Sequence, residues 1–369
     1  MTSEIFFVSL TILYFLTHLL LLKGLKNSLS LKKNSDTDLP KVSVIVAGRN
    51  ESANIERCIK SLSGLNYPEG LLEIILVNDN STDNTFEIMN EATREFKFFK
   101  VINSAKSSSV NLKGKANAID TAITQCNGDI IVMTDADCEV SPDWVKETVR
   151  YYSENTAMVC GFTNIKCDKS LFTKMQSIDW VYLLALASSS SGLNLILSCI
   201  GNNLSFTKKA YNDTGGYSSI GFSVTEDLAL MRKLNSYKEY VIKYPVDKEC
   251  LVETLPCSTV SELFSQKRRW FRGGIGINFL GYIIGAELYA VNFMLIFGLI
   301  FLSYKTYIVL ILIKILSELL LISGIIKRFK LGYLYRYYLL FCFYFAFYGL
   351  SLPFSFLFNT KINWKGRKF

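Results

Sequence analysis

The sequence predicts an α/β domain with a mostly parallel sheet, held between apolar segments that are long enough to cross a membrane. Between residues 41 and 138, short apolar runs typical of buried strands alternate with helical patterns. Several of these runs end in an acidic loop. Hydrophobic residues make up 50% of the chain and are concentrated at its two ends, so we expect a globular domain between membrane segments.

Composition limits the class of protein. The net charge of +8 fits the basic flanks of a membrane protein. No nucleic-acid partner is expected, because the chain has no RNA- or DNA-binding motif. The nine cysteines include no C-x-x-C pair, which favours reduced cytosolic thiols over a disulfide framework or zinc site. The single histidine, His18, lies in an apolar run, so a general base must be a carboxylate or something rarer.

The first element is an apolar run at residues 5–22, about the minimum length for a transmembrane helix. A cleaved signal peptide is the alternative, but no basic residue precedes the run and no small-residue cleavage site is evident. Four lysines follow within residues 23–33. The positive-inside rule then places the N-terminus outside and the next domain in the cytosol. Residues 1–40 are therefore predicted to form a membrane anchor and basic linker.

The main domain is predicted to cover residues 41–256. Apolar runs at 41–47, 71–77 and 129–133 predict buried parallel strands with helical crossovers between them. In open α/β sheets, ligands bind at the carboxyl ends of the strands. We therefore expect the acidic loops at this edge to form a binding site.

Asp135 and Asp137 follow the third of these runs. Two carboxylates one residue apart can hold a hard divalent cation such as Mg²⁺ or Mn²⁺, and such a cation would suit a diphosphate. A solvated acidic loop is the simpler interpretation of this pair taken alone, because acidic loop pairs are common.

The C-terminal part begins with an amphipathic helix at 257–283, which starts from a capping box of Thr259 and Glu262. Residues 284–369 are predicted to form a membrane region with about three spans, near 284–303, 306–326 and 337–358. With the N-terminus outside, four spans in total place the basic loop 327–336 in the cytosol, as expected. They place the basic tail 361–368 outside, which does not fit the positive-inside rule.

Eight motifs follow one another in order between about residues 41 and 272, and they are VSVIVAGRNES, VNDNSTD, GKANAID, DADC, GNN, GGY, TED and QKRRW. With this series the chain resembles the membrane-bound, inverting family 2 glycosyltransferases, the group that includes cellulose, chitin and hyaluronan synthases. Each motif is weak by itself, whereas the ordered series is specific. The resemblance implies a GT-A type domain that binds a nucleotide-diphospho-sugar, on the cytosolic side of the cell (inner) membrane.

The resemblance also implies the residues of the donor side. Asp135 and Asp137 would hold Mg²⁺ or Mn²⁺ against the diphosphate, whose leaving charge preorganised cations stabilise. Helix capping is the alternative role for Glu51 and Asp79. The residues expected to bind the donor are Ala47, Glu51, Asp79, Lys115, Asp135 and Arg269.

On the acceptor side, the resemblance implies that Asp227 is the catalytic base. Inversion in one displacement needs a base for the acceptor hydroxyl and no enzyme nucleophile. The alternative is that Glu226 and Asp227 are first-turn carboxylates favoured by the helix dipole. The residues expected to contact the acceptor are Asn203, Glu226, Gln266 and Trp270.

Spacings of three and four place Gln266, Arg269 and Trp270 on one helix face, with Lys267 off that face. Lys267→Ala is therefore expected to be milder than a change at Arg269. An interfacial helix that binds lipid headgroups through Lys267 and its basic neighbours is the alternative, and both roles are compatible.

The sequence therefore predicts a membrane glycosyltransferase that acts on a glycan or lipid-linked acceptor in envelope polysaccharide or glycolipid synthesis, in contact with membrane lipid. A processive polysaccharide synthase is an alternative, although the membrane region is short for one. A nucleotidyltransferase would leave TED and QKRRW without a role. A non-catalytic scaffold is disfavoured by the intact acidic set.

Overall fold

The computed structural model describes residues 2–35, 38–107, 112–356, 363–364 and 367–368. The basic tail 361–368 therefore lies largely outside the described residues. The strands are β1 (Val42–Gly48), β2 (Leu72–Asn78), β3 (Phe99–Asn103), β4 (Ile130–Asp135), β5 (Cys138–Val140), β6 (Thr156–Cys160), β7 (Thr163–Ile165), β8 (Leu204–Thr207), β9 (Val241–Lys243), β10 (Val252–Thr254), β11 (Asn363–Trp364) and β12 (Arg367–Lys368).

Twelve α-helices are present among the described residues. They are α1 (Thr2–Leu29), α2 (Ile55–Ser63), α3 (Thr85–Thr93), α4 (Lys115–Ile123), α5 (Trp144–Val149), α6 (Leu171–Ser191), α7 (Lys208–Asp213), α8 (Glu226–Asn235), α9 (Val260–Gly273), α10 (Phe279–Phe297), α11 (Tyr304–Arg328) and α12 (Tyr338–Ser351).

The centre of the domain is a seven-stranded sheet in the order β3-β2-β1-β4-β8-β6-β9. The first four strands of this order are parallel, while β8 runs antiparallel to both β4 and β6. Successive side chains of β1 enter opposite cores, because Ile45 packs with Ile119 of α4 and Val44 packs with Ile59 of α2. The predicted α/β class with a mostly parallel sheet is confirmed.

A second sheet of three short strands, in the order β5-β10-β7, lies beside the first. Strand β5 begins directly after Asp137, and β10 precedes the chain that leads into α9. Their antiparallel pairing places the acidic loop after β4 close to the start of the α9 region. The sequence did not predict this sheet, because its strands are only three residues long.

Helix α6 extends beyond its expected end, through the segment 188–192 that the serine run marks as a loop. Ser28 of α1 donates a hydrogen bond to the Ser188 carbonyl oxygen at 2.8 Å. A Cβ atom added at Gly24 would overlap the Ser189 carbonyl oxygen. The small residues therefore let α1 approach closely, and this packing keeps the serine segment helical.

Three helices are long and apolar enough to cross a membrane, and they span Ser3–Leu29, Phe279–Ile300 and Tyr304–Arg328. The fourth predicted span, at 337–358, contains α12, which has 14 residues. A helix of this length covers about 21 Å, short of the ~30 Å hydrocarbon core. Three of the four predicted spans therefore correspond to such helices among the described residues, and the fourth stays a prediction.

Contacts at both ends of the three long helices show how each one runs relative to the α/β domain. Asp247 of the domain forms ion pairs with Lys33, which follows α1, and with Arg328 at the end of α11, at 3.9 Å for the latter. At the far end, Glu4 accepts hydrogen bonds from Ser303 and Thr306 near the α10–α11 turn. The last turns of α1 and α11 therefore face the domain, and α10 runs the opposite way.

A polar cluster joins two of these long apolar helices to α12. Lys314 and Glu318 of α11 form a buried ion pair at 2.7 Å. Their spacing of four residues favours such a pair within the helix over a path for the acceptor. Tyr14 of α1 and Tyr338 of α12 each donate a hydrogen bond of 2.6 Å to the Glu318 carboxylate. These contacts tie α12 to the two spanning helices.

Candidate active site

The carboxyl ends of β1, β2 and β4 form one edge of the sheet. Ala47 of β1 is in register with Val77 of β2 on one side and with Asp135 of β4 on the other. The structure therefore places Ala47 and Asp135 side by side at this edge. Asp79 continues the edge, because its backbone N–H donates to the Gly48 carbonyl oxygen at 2.8 Å.

The loops after β1 and β2 are fastened together. Asn50 accepts a hydrogen bond from the Thr82 backbone at 2.8 Å, and the Glu51 backbone donates to the Thr85 hydroxyl at 2.7 Å. The side chains of Glu51 and Asp79 are buried between these loops. Neither residue occupies an N-cap position, because Asn54 and Asn84 begin the two helices. The capping alternative is therefore disfavoured.

Lys115 connects the loop after β4 with the start of α8. Its ammonium group lies 2.5 Å from the Asp135 carboxylate and 3.3 Å from the Glu226 carboxylate. Burial alone would lower the pKa of Lys115, but the charges of Asp135 and Glu226 outweigh burial and raise it. The lysine is therefore held in its charged form.

This contact changes the expected role of Glu226. The residue was predicted to contact the acceptor, and the structure pairs its carboxylate with Lys115, which also binds Asp135. The physical reason is that nearby carboxylates stabilise the charge of a lysine withdrawn from water. Glu226 therefore belongs to the charge network beneath the cleft.

Asp137 lies in a crowded acidic position. Burial and the neighbouring charge of Asp135 raise the pKa of Asp137 to about 6. Arg57 donates to the Asp137 carbonyl oxygen at 2.7 Å and pairs with Glu139 at 3.1 Å, so the backbone of this loop is fixed from below. Sequence reasoning did not select Arg57, because nothing in its own helix distinguishes it from a surface arginine.

The two carboxylates after β4 fit a hard divalent cation. No cluster of three or more His, Cys, Asp or Glu ligands occurs in the part of the chain that the structure describes. Mg²⁺ in phosphate-binding sites commonly takes one or two carboxylates and completes its shell with phosphate oxygens and water. The like-charge crowding of Asp135 and Asp137 is what such a cation would relieve.

Asp227 stands in the first turn of α8. Burial and the charge of Glu226 raise its pKa to about 6, while the charges of Lys115 and Arg269 act against the rise. A Cβ atom added at Gly201 would lie 3.0 Å from the Asp227 carboxylate, so the glycine of GNN makes room for this side chain.

The structure corrects the predicted role of Asn203. It was expected to contact the acceptor, but it is 2% exposed and its amide donates to the carbonyl oxygens of Phe162 and Cys250, at 2.6 and 2.8 Å. Its side-chain oxygen accepts a hydrogen bond from the Trp144 indole at 3.1 Å. Both amide hydrogens are therefore used inside the core, and Asn203 supports the floor on which Gly201 lies.

Helix α9 closes the site from the other side. Gly273 packs against Thr225, where any side chain at position 273 would overlap the threonine. Arg232 of α8 donates to the carbonyl oxygens of Gly274 and Ile275, at 3.2 and 3.0 Å. These contacts join the TED and QKRRW helices, which explains why the charge of Arg269 acts on Asp227.

The predicted face of α9 is formed by Gln266, Arg269 and Trp270, all partly exposed. The Trp270 ring meets Trp180 of α6 edge-on, with ring centroids 5.5 Å apart. The buried side-chain oxygen of Gln266 has no hydrogen-bond partner among the residues that the structure describes.

Lys267 departs from expectation. Its side chain is 3% exposed and forms a buried ion pair with Asp179 of α6, so it cannot reach lipid headgroups. The burial of Lys267 removes the ground for expecting Lys267→Ala to be milder than a change at Arg269, because removing the lysine would leave the Asp179 charge uncompensated in the interior. A sequence signal did exist, since Asp179 is the only acidic residue in a helix whose other side chains are mostly buried.

Comparisons with known proteins agree with this geometry. The family model described as "Glycosyl transferase family 2" matches residues 43–228. Poly-beta-1,6-N-acetyl-D-glucosamine synthase of Staphylococcus epidermidis is 30% identical over 253 residues, which cover 67% of this chain and 58% of that protein. Beta-monoglucosyldiacylglycerol synthase of Nostoc sp. is 28% identical over 249 residues, covering 66% and 51%. The chain thus matches little more than half the length of these two relatives.

One solved structure shares the architecture over almost the whole chain. The mannosyltransferase PcManGT from Pyrobaculum calidifontis, in complex with GDP-Man and Mn²⁺, has a TM-score of 0.63 at 18% sequence identity. The likeness covers 97% of this chain and 99% of that chain, so it includes the membrane helices as well as the sheet. At this identity the likeness shows the fold alone.

Proposed function

Because the chain belongs to glycosyltransferase family 2, we propose that it transfers a sugar, with inversion, from a nucleotide-diphospho-sugar to a lipid-linked acceptor at the membrane surface. One observation carries the choice of acceptor. The base candidate Asp227 lies between the Lys115 cluster and an apolar loop, residues 193–200, that leads to the membrane helices. An acceptor carried by a lipid would meet its apolar surface there.

The contacts of this loop support the route. A Cβ atom added at Gly24 of α1 would lie 2.8 Å from Leu193, and one added at Gly281 of α10 would lie 3.0 Å from Leu197. The loop ends at Gly201, beside the Asp227 carboxylate. It therefore spans the distance from two membrane helices to the base, and it is mostly apolar along that distance. A water-soluble sugar would need no such surface.

On the donor side, Asp135 and Asp137 would hold Mg²⁺ or Mn²⁺. When bound, the cation would offset the negative charge that gathers on the diphosphate as it leaves. The Mn²⁺ in the PcManGT complex agrees with this choice. Arg269 presents a planar guanidinium that suits phosphate oxygens. Ala47, Glu51 and Asp79 would bind the nucleoside.

The chain's own residues supply the proton chemistry. With a pKa of about 6, the Asp227 carboxyl group is ionised at neutral pH and can take the proton of an acceptor hydroxyl. The hydroxyl oxygen then bonds to the anomeric carbon while the bond to the diphosphate breaks on the opposite face. Glu226 holds Lys115 in place, and Gln266 and Trp270 would contact the acceptor sugar.

The same proposal includes a topology. With spans α1, α10 and α11 and the N-terminus outside, the α/β domain, the basic loop 327–336 and the tail 361–368 all fall in the cytosol of a cell (inner) membrane protein. Three spans thus remove the conflict that four spans create for the tail. A cysteine placed in the tail should react with an impermeant thiol reagent only after permeabilisation, and labelling in intact cells would contradict this topology.

The experiment for the activity uses purified protein in vesicles of total lipid extract, with a panel of nucleotide sugars and Mg²⁺ or Mn²⁺. We expect release of nucleoside diphosphate together with a lipid whose mass has increased by one sugar. Long chains would instead support a processive polysaccharide synthase, the second candidate, which the similarity to the poly-N-acetylglucosamine synthase favours. Sugar transfer without diphosphate release, or no transfer to any lipid, would contradict the proposal.

A further inference from the structure

The buried pair of Lys267 and Asp179 has no part in the chemistry described above. Lys267 lies inside the QKRRW motif, yet its ammonium group points away from the cleft into the space between α9 and α6. Both side chains are almost completely buried, at 3% and 0% exposed. Burying an ion pair costs about as much free energy as the attraction returns, so such pairs are weak stabilisers. The position of this ion pair directly beneath the cleft therefore indicates a role other than stabilisation.

A third residue completes the cluster from the membrane side. Tyr348 of α12 donates a hydrogen bond of 2.5 Å to the other oxygen of the Asp179 carboxylate. The Lys267 ammonium group also lies 5.4 Å from the centroid of the Tyr348 ring. Lys267, Asp179 and Tyr348, called here the α9 anchor, thus join one helix of the site to α6 and to α12.

The α9 anchor bears directly on Trp270. The Lys267 ammonium group lies 4.4 Å from the centroid of the Trp270 ring, within the range of a cation–π contact. Trp180, the neighbour of Asp179 in the chain, meets the same ring edge-on. The indole is therefore held between a cation on its own helix and an aromatic edge on α6.

Hydrophobic burial fixes the rotation of helix α9 only weakly. Of its 14 residues, all described, Leu263 and Lys267 are the two that are buried. A helix with a single buried apolar side chain gains little orientation from hydrophobic packing. The directional contacts of Lys267 with Asp179 and with the Trp270 ring therefore help to set which way Trp270 faces.

We propose that Lys267, Asp179 and Tyr348 are positioning residues that hold Trp270 in the acceptor site, so that α12 is coupled to acceptor binding. The role of Trp270 in this statement rests on the proposed function. None of the three residues is among those expected to bind the donor. Its loss should therefore impair use of the acceptor and leave donor binding unchanged.

The chain offers a matched pair of variants for the test. Tyr348→Phe removes the hydroxyl that binds Asp179. Tyr344→Phe removes a buried hydroxyl one turn earlier in α12, which has no hydrogen-bond partner in the described part of the chain. A double change of Lys267→Met and Asp179→Leu removes the ion pair without leaving a buried charge, and such replacements often preserve the fold.

The first measurement is independent of the acceptor. The full chain, purified in vesicles of total lipid extract, is labelled with 5-fluorotryptophan, and Trp270→Phe identifies the fluorine resonance of Trp270. We expect this resonance to shift in Tyr348→Phe and in the double variant, and to stay in place in Tyr344→Phe. An unmoved Trp270 resonance in both anchor variants would overturn the proposal.

The second measurement is kinetic, with the lipid extract varied at saturating donor. Half-saturation by lipid should rise about tenfold in the double variant and about threefold in Tyr348→Phe, as loss of a cation–π contact or one hydrogen bond implies. Donor affinity should remain within twofold, and melting temperature should be followed in parallel. Loss of donor binding equal to the loss of lipid use would mean a merely structural role. If the parent protein transfers no sugar while the resonance still moves, the proposed function fails and the positioning of Trp270 stands.

Discussion

Two lysines of this protein have similar surroundings and different uses. Lys115 and Lys267 each sit beside an aspartate, but the side chains of Lys115 and Asp135 are 15% and 34% exposed, whereas those of Lys267 and Asp179 are 3% and 0% exposed. A pair that water reaches can exchange partners when a charged ligand arrives. A pair sealed between helices cannot exchange partners. The first arrangement suits a binding site, and the second suits a fixed support.

Under the proposed function, the difference would divide the site into a donor side that can exchange ion-pair partners and an acceptor side that is built in advance. The donor side lies at the carboxyl edge of the sheet, with Lys115, Asp135 and Asp137. The acceptor side is α9, fixed by the α9 anchor and by Thr225. Asp227 lies between the two sides, so substituting this residue is the strongest test of the division.

The largest expected effect is that of Asp227→Asn. The amide keeps the size of the side chain but cannot take a proton, and general-base catalysis contributes about 10²–10⁴-fold to rate. Transfer should fall by at least about that range, while binding of the nucleotide sugar changes little. The measurement is single-turnover transfer together with donor binding by calorimetry.

Glu226→Gln serves as the comparison variant for Asp227→Asn. Because Glu226 binds Lys115, its loss should weaken donor binding moderately and leave turnover at saturating donor close to that of the parent. If Asp227→Asn transfers sugar at nearly the parental rate, the base must be sought elsewhere. If its only defect is lost donor affinity, Asp227 belongs to the donor side.

Asp137→Asn is next in size and tests the donor side alone. Removing one of two charged oxygen ligands should reduce the stimulation of donor binding by Mn²⁺ by about 10–100-fold, since carboxylates supply most of the protein's affinity for such cations. The fold should survive, as circular dichroism can show. A variant that binds donor and responds to Mn²⁺ like the parent would exclude Asp137 as a metal ligand.

The sequence located the residues at the strand ends better than the contacts of Asn203 and Lys267, for a physical reason. Strand ends such as Asp135 and Asp79 follow from a periodicity of two and from the rule that ligands bind at the carboxyl edge. The placement of both aspartates depends only on residues that are close to them in the sequence. The roles of Asn203 and Lys267 depend on contacts with residues 41 to 88 positions away, which no local pattern encodes.

The membrane region shows the same limit. Apolar length predicted α1, α10 and α11 well, because hydropathy is a local property. It did not predict that α12 would stop after 14 residues and turn its Tyr338 and Tyr348 towards buried carboxylates. The sequence predicts a loop for the serines of α6, because their packing against α1 is also a contact between residues far apart in the chain.

Arg269→Lys asks whether α9 also contributes to the donor side. Lysine keeps the charge but loses the planar fork that binds two phosphate oxygens. Turnover should fall by about tenfold, with a smaller loss of donor affinity, since the contact is strongest as the diphosphate leaves. Arg268→Lys, on a neighbouring position of the same helix, is the control. Equal activity of Arg269→Lys and the parent would favour headgroup binding by this helix.

The smallest expected effect is a dependence on pH that separates the base from its surroundings. Burial and Glu226 raise the pKa of Asp227 to about 6, against the opposing charges of Lys115 and Arg269. A base whose pKa is raised becomes protonated as the pH falls through that value, so turnover is full above it and declines below it. With a pKa of about 6, turnover should fall about fourfold between pH 7 and 5.5.

The experiment is done at saturating donor and Mn²⁺, so that protonation of Asp137 does not limit the rate. Glu226→Gln removes the nearest negative charge, which should lower the pKa of Asp227 and move the decline to lower pH. Asp227→Asn should show residual transfer without this decline. A decline that persists unchanged in Asp227→Asn would assign the titration to another group. If turnover of the parent does not decline at low pH, the donor and metal hold Asp227 ionised. The acceptor side is then less insulated from the donor side than the two lysine pairs suggest.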